Sequence, residues 1–530
     1  MIVTDVDTET LEQKRIQLQA RLDQAKTPKE RNVMGQFATP PQLALEIAHA
    51  TKNLFSSSDK VRFLDPAFGT GAFYGALLKI FPAQQIDWAL GYEVDPHYGT
   101  AAKSLWSSAN LQLELKDFTQ AQPPSENSSK ANILICNPPY VRHHHLSPDV
   151  KKRLRKITYQ TTGIQLSGLS GLYCYFLLLT HKWLADDGVA CWLIPGEFMD
   201  VAYGRQVKEY LLSNVDLIRV HRFNPSGSKF DDALVSSAVL WFRKPAQHNN
   251  QQKAQFSFGD SLELPDVVKS INLSSLSSKQ KWSKLTAAPK NRIETGDEKE
   301  ASLRFSDLFE IKRGIATGAN KFFILTPEQA QNFDLPDSFL TPILPSPRFV
   351  SADEIQADSN GLPVIEKRLF LLNCALPEQV IRREQPALWK YLQSGIEQNI
   401  HNRYLCRHRN PWYTQDKRAP APLLCTYMGR NEQPFRFIFN HSQAITANVY
   451  LMLYPKDVLQ RYINEDASLM REIWKLIRQI EPNNFIAEGR VYGGGLHKLE
   501  PRELSNVSIE SIRNVLPDLS LNQTRQMSLF

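Results

Sequence analysis

Four short apolar runs in the first part of the chain each end at an acidic or amide side chain. They are Val61–Asp65, Trp88–Glu93, Leu111–Leu115 with Asp117 just beyond it, and Asn132–Cys136 followed by Asn137. Runs of this length and composition predict buried strands, and the helical patterns between them predict a parallel sheet. The chain is therefore expected to contain an α/β, doubly wound, Rossmann-like domain whose ligand site lies at the carboxyl ends of its strands.

The first run leads into Pro66-Ala67-Phe68-Gly69-Thr70-Gly71 and then into a helical segment. A strand, a glycine turn and a helix are typical of a nucleotide-type site, because glycine lets the backbone approach a ligand closely. A dinucleotide fingerprint would need a third glycine where Tyr74 stands, which disfavours a pyrophosphate ligand. Glu93 is placed to bind ribose hydroxyls, and Asp117 with Phe118 could hold an adenine ring. Any one acid could be an ordinary turn residue, but three in successive units are hard to assign to chance.

The segment Asn137-Pro138-Pro139-Tyr140 is a candidate receptor for an exocyclic amine. The prolines carry no N–H and have fixed φ angles, so the carbonyls near them remain available as acceptors. An amide side chain, a stiff carbonyl and an aromatic ring can accept both hydrogens of a planar –NH2 group while the ring stacks on its heterocycle. The alternative is a strand that ends in a proline turn capped by Asn137, and the motifs that precede it make this alternative less favoured.

The order of these motifs resembles the gamma group of DNA adenine-N6 methyltransferases, the TaqI-like type II enzymes of restriction–modification systems. The matching segments are Gly35-Gln36-Phe37-Ala38-Thr39-Pro40-Pro41, DPAFGTG at 65–71, GYEVD at 91–95, KDF at 116–118 and NPPY at 137–140. The resemblance is strongest from Gly35 to about Phe242, and it returns near Ile311–Leu325 and Arg490–Leu504. NPPY alone is less specific, because protein-glutamine and ribosomal RNA methyltransferases share it. The order of the segments is more telling than any one of them.

The resemblance implies S-adenosyl-L-methionine as cofactor, a flipped-out adenine of double-stranded DNA as substrate, and a last strand, Leu234–Phe242, that runs antiparallel. The implied catalytic residues are Asn137, Pro138, Tyr140 and Phe230, with Phe223 a weaker candidate for the second stacking ring. The implied cofactor-binding residues are Phe37, Thr39, Asp65, Pro66, Ala67, Gly69, Gly71, Glu93, Val94, Asp117, Phe118, Asn137 and Pro139. Direct methyl transfer needs no enzyme nucleophile, and Cys136 is expected in the core.

Basic segments supply the candidate DNA contacts. They are Lys151, Lys152, Arg153 and Arg155 just after NPPY, and Lys312, Arg313 and Lys498 in the C-terminal region. The stretch from His401 to Arg418 interleaves basic and aromatic residues and is a further candidate. Each could instead be a solvated surface or an ordinary turn. No metal site is expected at His143–His145, since three consecutive side chains cannot converge on one ion without strain.

Length and polarity suggest the organisation of the chain. With 530 residues it is long enough for two or three domains. We expect an N-terminal helical arm at 1–30, a methyltransferase domain at 31–245, a polar linker at 246–300 and a mixed α/β DNA target-recognition domain at 301–530. The arm carries Leu11, Leu18 and Leu22 at helical spacing. Thr39 is expected to cap the helix that starts at Pro40.

The composition also bears on compartment and partners. The net charge of +7 suits a polyanionic partner. Six cysteines without paired or zinc-type spacing fit a reducing compartment. With no visible secretory signal or membrane span, a cytoplasmic bacterial or archaeal protein is expected. We expect a monomer that acts on double-stranded DNA beside a separate cognate restriction endonuclease.

Two other functions remain open at this point. One is an RNA or protein-glutamine methyltransferase, which the large C-terminal extension disfavours. The other is a DNA-binding subunit that depends on a partner or has nuclease activity. A nuclease is disfavoured because Pro265-Asp266 and Glu310-Ile311-Lys312 match a PD…ExK core only by loose spacing.

Overall fold

The computed structural model describes residues 5–55, 59–224, 237–246, 252–286, 302–430, 433–492 and 496–516. These residues form two compact units: the first holds the described residues up to 286 together with Tyr492, and the second holds the others from 302 onward. The helices of the first unit are α1 (Asp5–Gln24), α2 (Pro28–Met34), α3 (Pro41–Lys52), α4 (Ala72–Ile80), α5 (Pro96–Leu105), α6 (Pro148–Thr162), α7 (Leu172–Leu179) and α8 (Arg205–Ser213). Its strands are β1 (Val61–Asp65), β2 (Ile86–Tyr92), β3 (Gln112–Glu114), β4 (Ala131–Cys136), β5 (Leu184–Pro195), β6 (Asp216–Arg222), β7 (Ser237–Arg243), β8 (Lys253–Phe258) and β9 (Val267–Asn272).

A nine-stranded sheet forms the centre of the first unit, in the order β3-β2-β1-β4-β5-β7-β6-β8-β9. β3, β2, β1, β4 and β5 are parallel to one another. β7 lies between β5 and β6 and runs antiparallel to both, as the resemblance implies for the last strand. The predicted α/β, doubly wound fold class is confirmed.

The central strands are buried on both faces, because successive side chains of a strand point to opposite sides of the sheet. Leu134 and Trp192 pack into the core formed with α6, α7 and α8. Their neighbours Ile133 and Leu193 pack into the core formed with α3 and α4. Strands covered on both faces read as continuous apolar runs. The covered faces leave the ends of the strands as the place for a ligand.

The sheet extends beyond the predicted domain boundary at residue 245. β8 pairs in parallel with β6, and β9 pairs antiparallel with β8. Two segments of the predicted linker at 246–300, β8 and β9, are therefore part of the first unit's sheet. The polarity of this region misled the prediction, because β9 is an edge strand and exposed positions alternate along it. A strand with one solvated face needs polar residues as much as a linker does.

Most of the predicted N-terminal arm forms α1, which packs against α4 and α5. Its three leucines at helical spacing, Leu11, Leu18 and Leu22, are only half-buried. The most deeply buried positions are instead charged, with Arg15 at 2% and Glu12 at 6% exposure. Polar contacts therefore position this helix as much as apolar packing does. Within the described ranges, no helix is long and apolar enough to cross a membrane.

The second unit is a mixed α/β structure with three smaller sheets. Its helices are α9 (Phe305–Leu308), α10 (Asn320–Phe323), α11 (Pro327–Asn332), α12 (Glu378–Glu384), α13 (Pro386–Glu397), α14 (Asp457–Glu465), α15 (Leu469–Arg478), α16 (Pro482–Glu488) and α17 (Pro501–Ser505). Its strands are β10 (Phe309–Arg313), β11 (Ile324–Leu325), β12 (Leu340–Leu344), β13 (Glu354–Ile355), β14 (Phe370–Leu372), β15 (Leu423–Thr426), β16 (Met428–Gly429), β17 (Phe437–Asn440), β18 (Ile445–Thr446), β19 (Tyr450–Pro455), β20 (Arg490–Tyr492) and β21 (Leu496–Lys498).

The strand orders in these sheets are β10-β19-β15-β17-β13, β11-β14-β12-β18 and β16-β21-β20. Two hydrophobic cores meet at β19. Tyr450 and Met452 face one of them, while Leu451 and Leu453 face the other. The period of two along a strand explains this division.

Candidate active site

The candidate site lies where β1, β2, β3 and β4 end, at one edge of the parallel part of the sheet. A cavity of about 410 Å³ opens there. The predicted cofactor-binding residues on its wall are Phe37, Pro66, Ala67, Gly69, Glu93, Val94, Asp117, Phe118, Asn137 and Pro139. Loops that follow four different strands thus converge on one cavity, as open α/β sheets require of a ligand site.

Three predicted cofactor-binding residues stand behind this wall. Gly71 has φ +90°, and a Cβ there would lie 2.7 Å from the Phe68 ring. Asp65 is 1% exposed and accepts the N–H of Ala67 at 3.1 Å. Thr39 is buried as well, and its hydroxyl is held by a neighbouring side chain. They shape the wall from behind, because each is enclosed by neighbouring residues.

Thr39 also differs from its predicted role as a helix cap. α3 begins at Pro41 with Pro40 at the N-cap position, and the structure gives this helix no side-chain cap among the described residues. The Thr39 hydroxyl is instead hydrogen-bonded to Asn137, at 3.0 Å. A tertiary contact has replaced the local one that the sequence pattern suggested.

The side chain of Asn137 is held in one orientation. Its Nδ2 donates to the carbonyl oxygen of Phe37 at 3.0 Å and to the hydroxyl of Thr39 at 3.0 Å. A carbonyl can only accept, so the amide nitrogen must face it. The other end, Oδ1, is buried and has no hydrogen-bond partner within the described part of the chain. Because an unpaired buried acceptor is costly, this oxygen marks a place for a donor group of a ligand.

The segment that begins at Gly35 packs directly on NPPY. The Gly35 carbonyl accepts the N–H of Tyr140 at 3.0 Å. Gly35 has φ +66°, and a Cβ there would lie 2.4 Å from the Tyr140 nitrogen, so only glycine fits. The rings of Phe37 and Tyr140 lie 5.6 Å apart between centroids. Tyr140 itself is 8% exposed and donates its hydroxyl to the Leu193 carbonyl at 3.1 Å, and burial raises its pKa.

Glu93 joins the glycine loop to the end of β2. Its Oε2 accepts the N–H of Gly69 at 2.8 Å, and its Oε1 accepts the N–H of Asp95 at 2.8 Å. Burial raises the pKa of this carboxyl group. Each oxygen keeps a further lone pair for a ligand hydroxyl. Among the described residues, no atom beyond Gly69 and its two chain neighbours lies within 4 Å of the position that a Cβ on Gly69 would occupy, so a ligand can approach the backbone there.

Phe118 and Asp117 line the cavity beyond β3. Phe118 is 3% exposed and packs against the rings of Tyr92, Phe176 and Trp183, at centroid distances of 5.4, 5.5 and 5.3 Å. Asp117 accepts the N–H of Thr119 at 2.9 Å and its hydroxyl at 2.8 Å. The aromatic surface is thus rigid, and the carboxylate beside it is fixed by its own turn.

The basic run after NPPY is not a single phosphate-binding face. Arg153 lies on the cavity wall, where it donates to the Thr119 carbonyl at 2.9 Å and stands 3.6 Å from Asp117. Arg155 donates to the Leu166 carbonyl at 3.1 Å. These two arginines therefore use some of their donors within the protein, and their role as DNA contacts stays a prediction. Lys151 is half-buried and Lys152 is exposed. At 3.6 residues per turn, consecutive helical residues cannot share one face.

The second unit brings two of its predicted DNA-binding residues together at Tyr427. The guanidinium carbon of Arg313 lies 4.1 Å from the Tyr427 ring centroid, and Nζ of Lys498 lies 5.0 Å from it. Glu500 accepts the Tyr427 hydroxyl at 2.6 Å and pairs with Lys498 at 2.8 Å. Lys312 instead pairs with Glu310 at 2.9 Å. Sequence reasoning did not find Tyr427, because nothing local marks it.

The segment from His401 to Arg418 is partly core. Trp412 packs on Phe322 at 5.9 Å between ring centroids, and Tyr413 is 2% exposed. Tyr404 alone among its three aromatic residues Tyr404, Trp412 and Tyr413 is exposed, at 68%. Arg409 donates to the carbonyls of Ala316 and Thr317 at 2.7 and 2.9 Å. It thereby fixes the loop that follows β10, so part of the basic character is structural.

Other predicted residues have definite places. Phe230 lies outside the described residues, so its stacking role stays a prediction. Phe223 is 2% exposed and sits in the core, with its ring 4.8 Å from that of His221. Cys136 is buried, as expected, and all six cysteines are free. In the described parts of the chain, no group of three or more His, Cys, Asp or Glu side chains could hold a metal ion.

The cavity also has lining residues that the sequence reasoning missed. Gln19 and Asp23 reach it from α1, and Tyr98 reaches it from α5. The sequence predicts the arm to be a packing element, because its leucines are its only residues with an evident helical spacing. No sequence pattern available for one chain would have placed its polar face against the glycine loop.

Two family models match the chain. The model described as the Eco57I restriction-modification methylase matches residues 84–229, and the C-terminal domain of type II methyltransferase M.Eco57I matches residues 279–528. The chain is also similar to "Type II methyltransferase M.AccI" of Acinetobacter calcoaceticus, with 27% identity over 486 residues that cover 90% of this chain and 85% of that protein. "Type II methyltransferase M.XamI" of Xanthomonas campestris pv. amaranthicola is 28% identical over 476 residues, which cover 87% and 83%.

A solved structure of similar fold is that of the type IIL restriction-modification enzyme MmeI in complex with DNA. It superposes with a TM-score of 0.51 at 12% identity, covering 83% of this chain and 65% of that one. At this identity the likeness concerns the fold alone. It extends over most of the chain, so both the sheet of the first unit and parts of the second have counterparts there.

The buried carboxyl of Asp65 should make stability depend on pH. Burial raises its pKa from 3.8 to about 7. The folded state therefore holds this proton more tightly than the unfolded state, so the free energy of unfolding should fall as pH rises from about 4 to about 7 and level off above that. The slope from this group is at most about 1.4 kcal/mol per pH unit.

Asp65→Asn should remove this part of the slope, as urea denaturation across that pH range can measure. Asp87→Asn, at an exposed aspartate of β2, should leave the slope as it is in the wild-type chain. An Asp65→Asn protein with the wild-type pH dependence would contradict the assignment.

Proposed function

We propose that this chain, a type II methyltransferase of a restriction–modification system, methylates N6 of an adenine in double-stranded DNA. The methyl group would come from S-adenosyl-L-methionine, and the adenine would be flipped out of the duplex. The proposal is carried by one observation, the buried and unpaired Oδ1 of Asn137 on an amide whose orientation is fixed. Modification at a specific site would protect the DNA from a separate cognate restriction endonuclease.

The cavity residues fit S-adenosyl-L-methionine, which supplies a methyl group activated on a sulfonium. The volume of about 410 Å³ lies in the range of small-molecule sites. The carboxylate of Glu93 would accept ribose hydroxyls, and the Phe118 ring with Asp117 would hold the adenine ring. Gly69 would let the backbone approach the remainder of the cofactor, because no Cβ stands in the way.

Asn137 and Pro138 would activate the target amine. Adenine N6 is a weak nucleophile, because its lone pair is delocalised into the ring. If Asn137 Oδ1 and the Pro138 carbonyl accept its two N–H bonds, the lone pair becomes localised and the positive charge growing on nitrogen is stabilised. Both acceptors are rigid, one through Phe37 and Thr39 and the other through the proline ring. The remaining contribution to the rate would come from positioning the amine in line with the methyl group.

Tyr140 would stack on the flipped adenine. Extrusion of a base costs a few kcal/mol, and each aromatic contact returns about 1–3 kcal/mol. Stacking on one ring barely offsets the cost of extruding the base, whereas stacking on two rings is enough. Phe230 therefore remains the proposed second ring. The hydroxyl bond from Tyr140 to Leu193 and the contact with Phe37 hold the first ring in place.

The same amine receptor could serve an RNA base or the amide of a protein glutamine. The pair Arg313 and Lys498 in the second unit favours a nucleic acid over a protein substrate. Arginine and lysine contact phosphates and base edges, which a protein glutamine does not offer. A modification subunit that needs a partner would show the same features and differs only in needing a second chain for activity.

The deciding experiment is single-molecule sequencing of genomic DNA from a methylation-deficient host that expresses only this chain. N6-methyladenine confined to one short sequence would support the proposal and show that the chain acts alone. Unmodified DNA, with purified protein that still binds S-adenosyl-L-homocysteine, would overturn the stand-alone function. Mass spectrometry of RNA and protein from the same cells would then look for the alternative substrates.

Asn137→Ala should lower the methylation rate by at least about 10²–10³-fold, since one acceptor of the developing charge is removed. Binding of S-adenosyl-L-homocysteine, measured by calorimetry, should change little. Asn110→Ala is a matched control, because Asn110 is exposed and also donates its amide to a backbone carbonyl, that of Asp87. Normal turnover in the Asn137→Ala protein would refute the amine receptor.

Arg313→Ala or Lys498→Ala should weaken duplex binding and reduce the slope of log K against log salt by about 1 for each phosphate that the protein no longer neutralises. Fluorescence anisotropy with a labelled duplex over a salt series measures this slope. Arg461→Ala removes an exposed arginine from α14 in the same unit and should have little effect. If both variants keep the wild-type slope, neither residue touches a phosphate.

A further inference from the structure

A buried ion pair in α1 holds the glycine loop. Arg15, 2% exposed, donates to the two carboxylate oxygens of Glu12 at 2.8 and 2.7 Å. It also donates to the hydroxyl of Thr70, the middle residue of the Gly69–Gly71 turn, at 3.3 Å. Removing one partner of such a pair is destabilising, so the helix and the loop are fixed to each other at this point.

The hydrogen bonds continue along the same face of α1 to the cavity. Thr70 donates its hydroxyl to Gln19 Oε1 at 2.6 Å, and Gln19 Nε2 donates to Asp23 Oδ1 at 2.9 Å. The hydroxyl of Tyr98 donates to the same Asp23 oxygen at 2.8 Å. The spacing from Glu12 through Gln19 to Asp23 keeps these side chains on one side of the helix.

Asp23 has one carboxylate oxygen available to a ligand. Its Oδ1 already accepts two hydrogen bonds. Its Oδ2 forms a long ion pair with Arg31, whose nearest nitrogen lies 3.9 Å away, beyond hydrogen-bond distance. The side chain is 21% exposed, and Gln19, Asp23 and Tyr98 all line the cavity. A carboxylate held in this way is a strong acceptor for an O–H or N⁺–H donor.

We propose that α1 is a wall of the cofactor site and that Asp23 Oδ2 accepts a hydrogen bond from the cofactor. The inference rests on the proposed function, since the ligand it names is S-adenosyl-L-methionine. The donor is a ribose hydroxyl or the ammonium of the amino-acid part, the two groups whose chemistry matches a carboxylate. The chain from Arg15 through Thr70 and Gln19 positions this acceptor.

Docking of α1 and cofactor binding are then linked. A ligand that contacts the docked helix stabilises the docked state by mass action. Conversely, a variant that lowers the population of the docked state should raise the apparent Kd of the ligand in proportion. The arm that the sequence presents as a packing element therefore takes part in binding.

The test is calorimetric titration of S-adenosyl-L-homocysteine into the full chain. Asp23→Asn keeps an oxygen to accept from Gln19 and Tyr98 but loses the charge, and its Kd should rise about 10-fold or more. Glu9→Gln is the control, at an acid of the same helix whose side chain is 61% exposed and pairs with Lys79. Its Kd should equal that of the wild-type chain.

The same titration with 5′-methylthioadenosine, which lacks the ammonium, identifies the donor. An equal loss of affinity for both ligands in Asp23→Asn assigns the ribose hydroxyl, and a loss for S-adenosyl-L-homocysteine alone assigns the ammonium. Unchanged affinity in Asp23→Asn, with a wild-type chain that binds, overturns this inference and leaves the proposed function intact. A wild-type chain that binds neither ligand overturns both.

Hydrogen exchange of residues 5–24 gives a second readout that does not depend on one variant. Saturating S-adenosyl-L-homocysteine should slow exchange of α1 in the wild-type chain, and Arg15→Met should reduce this protection and raise the Kd together. Exchange of α1 that is the same with and without ligand would overturn the linkage. Circular dichroism of each variant shows that it is folded.

Discussion

The docking of the segment 35–39 onto the segment 137–140 is the interaction on which the candidate site depends. The Gly35 carbonyl accepts the N–H of Tyr140, and the Asn137 amide nitrogen donates to Phe37 and Thr39. Both hydrogens of that nitrogen are used inside the protein. The group that remains for a ligand is therefore the amide oxygen, which is an acceptor. Without this docking the amide could rotate, and the site would lose the one orientation that suits an amine.

Around this point the cavity is built in two layers. Residues at the strand ends, such as Glu93 and Phe118, face the ligand, while Asp65 and the Arg15–Glu12 pair lie behind them and are almost fully buried. Buried charge is tolerated there for two different reasons. Arg15 and Glu12 neutralise each other, whereas Asp65 has a raised pKa and takes up a proton more readily.

The two sets of basic residues have different surroundings. Arg153, Arg155 and Arg409 spend their donors on backbone carbonyls of the chain itself. Arg313 and Lys498 lie over the Tyr427 ring, and Arg313 also donates to the Asn448 carbonyl at 3.2 Å. A cation over an aromatic face can still direct donors toward a phosphate or a base edge, and an arginine whose donors bind carbonyls has fewer left to offer.

Much of the fold and part of the site followed from the sequence alone. The parallel strands, the acids at their ends, the glycine turn and the Asn-Pro-Pro-Tyr segment are local properties, since periodicity and the backbone limits of glycine and proline act within a few residues. Tertiary structure alone decided that the amide oxygen of Asn137 has no partner among the described residues, that β8 and β9 join the sheet, that Arg153 turns inward, and that α1 reaches the cavity. These outcomes rest on contacts between segments far apart in the chain, and such contacts are set by packing and hydrogen-bond geometry that no local pattern records.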